Sequence, residues 1–171
     1  DRRQRQMCIR DRDNVTYVRN ITDIDDKINA KALERGVNID KVTDETISWF
    51  HKDMEFLGAL RPNHEPRATD YVSQMKDMIS KLISLSFAYP TEDGHVFFEV
   101  EQFSDYGRLS NKKLNDLKEG VRIENENTKK NPLDFVLWKP SNDEEPGWES
   151  PWGRGRPGWH IECSAMAKDI L

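Results

Sequence analysis

Trp159 and Cys163 stand four residues apart in the run Arg156-Pro157-Gly158-Trp159-His160-Ile161-Glu162-Cys163-Ser164-Ala165-Met166. That run places an indole, an imidazole, a carboxylate and a thiol directly behind a turn. Pro157-Gly158 punctuates a loop, and Ile161 to Leu171 reads as a helix. Cys163 is therefore expected in the first helical turn, where amides without intrahelical acceptors and the positive end of the dipole favour a thiolate. Such a thiolate can bind a soft metal or act as a nucleophile. The commoner fate of a lone cysteine is a small buried hydrophobe, and that of a lone tryptophan a core aromatic. Residue chemistry alone favours that blander reading.

The ordered string from Gly155 to Met166 shifts the balance, because it resembles the Gly-Arg-Pro-Gly-Trp-His-Ile-Glu-Cys-Ser-Ala-Met signature of cysteinyl-tRNA synthetases. A second block, Tyr17-Val18-Arg19-Asn20-Ile21-Thr22-Asp23-Ile24-Asp25-Asp26-Lys27, is similar to the strand-to-helix segment lining the amino-acid pocket in that family. Between them, Arg61-Pro62, Glu65-Pro66-Arg67-Ala68-Thr69, Gly94 to Val100, Tyr106-Gly107-Arg108-Leu109-Ser110 and Asn131 to Lys139 fall in the family's order. The resemblance runs from Asn14 to the end of the chain.

The resemblance implies an ATP-dependent ligase that activates L-cysteine to cysteinyl adenylate and transfers it to tRNA(Cys), with ATP, magnesium and one zinc ion. It implies Cys163 as one zinc ligand, with the other three outside this sequence, and Trp159 and Thr22 as walls of the substrate pocket. Thr22 can equally serve as a helix N-cap. Zinc prefers thiolate to hydroxyl, so a metal with an open coordination position separates cysteine from serine where pocket shape discriminates weakly. By the same resemblance His160 and Glu162 are supporting residues rather than ligands. Arg67, Lys139 and Arg156 are candidates for phosphate or the tRNA acceptor end, though each is more often a surface cation. The motifs that handle ATP are absent from these residues, so no catalytic group is assigned within them.

Bulk properties bound the rest. With 33% charged and 36% hydrophobic residues, no long apolar run and no signal-peptide pattern, the chain reads as a soluble cytoplasmic protein without a membrane or an evident obligate protein partner. Two cysteines provide no disulfide framework. The formal net charge of −5 argues against a generic nucleic-acid binder, which usually carries a basic excess. An acidic protein can still hold structured RNA through a local basic face.

The elements that must position these residues follow from periodicity. Val15 to Asn20 alternates as a strand and runs into Thr22-Asp23-Ile24-Asp25, a box-like start for a helix ending near Gly36. Thr43 is expected to open a helix with core positions Ile47, Phe50, Met54 and Leu57. Thr69 is expected to cap another, with Tyr71, Val72, Met75, Met78, Ile79, Leu82 and Ile83 as its stripe. His51 and His64 lack a metal-spaced partner and read as structural or solvent-facing. Asp93-Gly94 between β-formers predicts a hairpin with Phe97 and Phe98 on opposite faces. A short helix over Asn111 to Lys118, a strand over Val121 to Glu124 and a strand over Asp134 to Lys139 follow. The loop from Pro140 to Gly158, rich in Pro, Gly and Trp, reads as a lid or wall.

The expected fold is α/β, part of a Rossmann-like class I synthetase catalytic domain with an inserted α+β connective module. Residues 1–12 read as non-native or disordered, and Cys8, followed by Ile9-Arg10-Asp11, takes no zinc role. Residues 13–86 supply catalytic-domain strand and helices, 87–139 the inserted module, and 140–171 a return carrying the substrate and zinc segment, interrupted within a helix. Two other readings share the signature: a mycothiol-pathway cysteine ligase, which passes cysteine to an amino-sugar, and a non-catalytic binding remnant of the fold. Asp23-Ile24-Asp25-Asp26-Lys27 and Asp134 to Lys139 fit the synthetase form better.

Overall fold

A computed structural model describes residues 14–111 and 128–171. Residues 1–12 with Cys8, the strand expected over Val121 to Glu124 and, beyond Asn111, the helix expected to Lys118 lie outside the described residues. The chain divides into two compact units, Asp1–Tyr71 with Met166–Leu171, and Val72–Ala165. The described elements are mixed α/β. No helix among them is long and apolar enough to cross a membrane.

In the first unit the segment through Arg19 and Ile21 runs extended beside residues 63–68. Arg19 N–H donates to the His64 carbonyl (3.0 Å), Ile21 N–H to that of Pro66 (2.8 Å), and Ala68 N–H to that of Ile21 (3.0 Å). The strand expected over Val15 to Asn20 is reduced to isolated parallel bridges, Val18 with His64 and Ile21 with Arg67. The reason is chemical. In a parallel ladder the Arg19 carbonyl would accept from residue 66, and Pro66 has no amide to give.

Helix α1 (Asp26–Arg35) begins later than its box-like signature: its N-cap is Asp25, whose carboxylate accepts from Lys27 N–H at 2.9 Å, and Thr22 is not a cap. It ends where expected, at Gly36 with φ 62°, a left-handed conformation that glycine adopts without steric cost. Helix α2 (Ile39–Phe56) starts earlier than expected because Asn38, accepting from Lys41 N–H at 3.0 Å, is the better-placed cap. Thr43 lies inside the helix, bonding back to the Ile39 and Asp40 carbonyls at 3.1 Å. The stripe expected as core is only half-buried at Ile47, Phe50 and Met54, and Leu57 is 59% exposed. Thr69 does not cap the following helix; a 3-10 turn, Ala68–Tyr71, leads into it.

In the second unit, helix α3 (Val72–Ser84) buries Val72, Met75 and Ile79 and packs on β1 (Ala88–Pro90). Strands β2 (Val96–Phe98), β3 (Phe135–Pro140) and β4 (Gly155–Pro157) follow in the antiparallel order β1-β2-β3-β4. The expected hairpin forms, with Gly94 at φ 85° and Thr91 N–H bonded to the His95 carbonyl at 2.9 Å. Phe97 is fully buried beside Tyr89 and His95, whereas Phe98 joins a different group, Phe87, Tyr106 and Phe135. Trp138, Val96, Val100 and Leu137 are buried as well, so both faces of the sheet are covered.

One buried carboxylate ties that sheet to its loops. Asp134, 1% exposed, accepts from the Tyr89 hydroxyl (2.8 Å), Val100 N–H (3.0 Å) and Asn131 N–H (3.1 Å). Three donors replace the water that a buried charge would otherwise require.

Candidate functional site

The start of helix α4 (Trp159–Ile170) is set by how closely the chain passes β3. β4 places Pro157 opposite Trp138, and Gly158 N–H then donates to the Leu137 carbonyl at 2.8 Å. A Cβ on Gly158 would stand 2.3 Å from the Val136 carbonyl oxygen, so only glycine fits there. The chain turns at that residue and the helix begins at Trp159.

Cys163 is consequently the fifth residue of α4, past the amides that lack intrahelical acceptors, and not in the first turn as expected. The helix-terminus argument for a thiolate therefore does not apply to its position. Its environment also differs from the blander reading: Cys163 is exposed, and Trp159 is 67% exposed. Neither is core. Trp159, His160, Cys163 and Ser164 lie on the exposed side of α4, while Ile161, Glu162, Ala165 and Met166 are buried. An i, i+4 pair shares one helix face, which brings the indole and the thiol together.

His160 supports that face. Its ring lies 4.8 Å from Phe135 and 5.4 Å from Trp159, centroid to centroid, and desolvation against these neighbours holds its pKa below the ordinary value. Glu162, at 1% exposure, belongs to the buried side, so the histidine and the glutamate two residues on serve opposite faces.

The segment from Pro140 to Gly158 is held by arginines. Arg154 donates to the carbonyls of Ser141, Asn142 and Glu145, and Arg156, 8% exposed, donates to the Pro140 carbonyl (3.1 Å), Ser141 Oγ (2.9 Å) and Glu145 Oε2 (3.1 Å). Trp148 bridges Gly155, and residues 155–157 form β4, so the segment is pinned and Arg156 is a strut rather than a surface cation. Arg67 is likewise engaged, at 2.7 Å from Asp44. Lys139 lies on β3 opposite Arg156.

Thr22 belongs to the other unit. It is half-buried, and its hydroxyl oxygen accepts from Asn20 Nδ2 at 3.4 Å. The residue after it is named in the sequence signature, but its pairing is not. Asp23, 3% exposed, accepts Thr69 N–H at 3.0 Å and the Thr69 hydroxyl at 2.6 Å. The two are separated by 46 residues, so no local spacing could have linked them. Nearby, Glu65 joins Arg19 and His51, its Oε2 lying 2.9 Å from His51 Nε2, and the Arg19 guanidinium sits 4.5 Å from the Phe50 ring centre. His51 thus has a carboxylate neighbour in Glu65.

Among the described residues no group of three or more His, Cys, Asp and Glu side chains is close enough to hold a metal ion. The exposed Cys163 thiol fits a single soft donor, and only that.

The chain matches the family described as tRNA synthetases class I (C) catalytic domain over residues 2–171. It is 56% identical over 168 residues to a cysteine–tRNA ligase of Paracoccus denitrificans, covering 93% of this chain and 36% of that protein. It is 58% identical over 160 residues to a cysteine–tRNA ligase of Ruegeria pomeroyi, covering 93% of this chain and 34% of that protein. The chain thus spans about a third of the length of the curated relatives it matches.

Proposed function

This chain belongs to the family of class I (C) tRNA synthetase catalytic domains, and from that premise we propose that it is the segment of a cysteine–tRNA ligase that presents the amino-acid side-chain pocket. The proposed reaction starts with L-cysteine, magnesium-bound ATP and tRNA(Cys) in the cytoplasm. A cysteine carboxylate oxygen attacks the α-phosphorus of ATP and pyrophosphate leaves; a terminal ribose hydroxyl of the tRNA then attacks the carbonyl carbon and AMP leaves. Positioning and charge stabilisation carry such steps. In this reading residues 13–86 and 140–171 supply substrate contacts, and 87–139 is an inserted connective module.

The observation that carries the reading is the exposure of Trp159 and Cys163 on one face of α4. A small apolar residue in the interior explains neither position. Cys163 would supply one thiolate ligand to a zinc ion, with the remaining donors outside the described residues. Zinc held by Cys163 and further donors would supply a preference for thiolate over hydroxyl. Trp159 walls the side chain, its ring steadied by His160 and, beneath that, Phe135. Thr22 contributes a hydroxyl for hydrogen bonding to the amino acid.

The test is cysteine-dependent ATP–pyrophosphate exchange in the full-length enzyme. Cys163→Ala is expected to abolish exchange and to lower the bound zinc content. Trp159→Ala is expected to raise the cysteine KM while stability changes by no more than about 0.5 kcal/mol, as for exposed side chains generally. Wild-type kinetics in Cys163→Ala, or no cysteine-dependent exchange in the unmutated enzyme, would overturn the proposal.

A further inference from the structure

The residues flanking Thr22 are fixed at both ends. Ile21 is bonded through its amide to Pro66 and through its carbonyl to Ala68, and Asp23 through both carboxylate oxygens to Thr69. Thr22 is the single residue between these anchors. The backbone ladder alone cannot supply such a hold, because Pro66 leaves the Arg19 carbonyl without its ladder donor and the chain curls into the 3-10 turn from Ala68 to Tyr71. Thr69 N–H lies in that turn, where amides lack internal acceptors, and the Asp23 carboxylate takes it together with the hydroxyl. One side chain thereby caps the turn and extends the pairing beyond the point where the backbone can continue it.

We infer that Asp23 is a positioning residue for the amino-acid site, holding the Thr22 hydroxyl in place through Thr69; this rests on the proposed role of Thr22. The charge matters as well as the shape. A carboxylate accepts from both donors, whereas Asp23→Asn keeps one acceptor for Thr69 N–H and reverses the other bond, its Nδ2 donating to the Thr69 oxygen and leaving the hydroxyl hydrogen to find another acceptor. Asp23 is 3% exposed, so water is poorly placed to take the hydrogen that the Thr69 hydroxyl gives to the carboxylate.

The test uses Asp23→Asn, Thr69→Val and Thr69→Ser in the full-length enzyme, reading separate KM values for cysteine and ATP in pyrophosphate exchange, with melting temperatures beside them. Asp23→Asn and Thr69→Val are expected to raise the cysteine KM by about 10- to 100-fold, the scale of an ångström misplacement, with the ATP KM unchanged. Thr69→Ser, which keeps the hydroxyl, is expected to restore the wild-type cysteine KM. If Asp23→Asn does not fold, the two Thr69 variants decide the matter. Lower melting temperatures with an unchanged cysteine KM would make the clamp merely structural and overturn the inference alone. Absent exchange in the unmutated enzyme would overturn the functional reading, and this inference with it.

Discussion

The two units hold themselves together by different means. Val72–Ala165 contains a four-stranded sheet and buries Trp138, Phe97, Met75, Ile79, Val96 and Val100 completely. Asp1–Tyr71 with Met166–Leu171 buries the smaller side chains Ile24, Ala32, Val42 and Ala68, besides Met166, and leaves Leu33, Trp49, Phe56 and Leu57 largely exposed. Much of its order comes instead from polar ties: Asp23 to Thr69, Arg19 to Glu65, Arg35 to Glu45 and Arg67 to Asp44. Burial of large apolar surface stabilises without direction, whereas polar ties are directional and modest in net energy. The sheet unit should therefore set stability, and the helical unit should set the geometry of the residues around Thr22. Each unit nonetheless contains one buried aspartate that gathers amide and hydroxyl donors, Asp134 in the first case and Asp23 in the second.

The sharpest attack on that contrast is Asp134→Ala, which leaves the Tyr89 hydroxyl and the Val100 and Asn131 amides without their acceptor. The expected loss is about 3–4 kcal/mol, seen as a lower urea midpoint by tryptophan fluorescence. A loss under about 1 kcal/mol would mean that the apolar core alone carries this unit.

Tyr89→Phe is milder, about 1–1.5 kcal/mol at neutral pH, because the hydroxyl's bonds to Asp134 and to Lys130 N–H disappear while the ring remains. It also changes the alkaline limb. Burial first, and the hydrogen bond to Asp134 after it, push the phenol pKa above its ordinary 10.0. The folded state therefore keeps the proton that the unfolded chain loses, so this contribution is complete below pH 10.0 and is lost as pH rises towards the folded value. Alkaline unfolding of the wild type should be steeper above pH 10.0 than that of Tyr89→Phe. Equal slopes would refute the assignment.

Asn38→Ala probes the helical unit and should cost about 1 kcal/mol, the usual loss when a side-chain cap is removed. Faster hydrogen exchange at the first amides of α2, with the sheet unit undisturbed, is the expected signature. Equal acceleration across β1 to β4 would show that the contrast between the units is false.

What sequence made legible was local. Asp93-Gly94, Gly36 and the β-forming run through Leu137 each state their structure within a few residues, and the hairpin, the helix end and β3 appear where expected. The helix starts were less legible, because several capping residues compete and the winner is decided by where the chain enters: Asp25 over Thr22, and Asn38 over Thr43. The candidate site was visible as a string, and Trp159 and Cys163 share a face because helical periodicity requires it. Their exposure was not visible, nor the place of Cys163 in the helix.

Sequence by itself determined the family, the residue types at the site and the elements whose bonds close within a turn or a hairpin. Tertiary structure alone decided that Gly158 must lack a side chain beneath Val136, that Arg156 is a strut, and that Asp23 meets Thr69 across 46 residues. The physical reason is common to all three. Each depends on the approach of backbone segments distant in sequence, and neither the donors nor the steric walls that define such a place exist until the chain has folded around it.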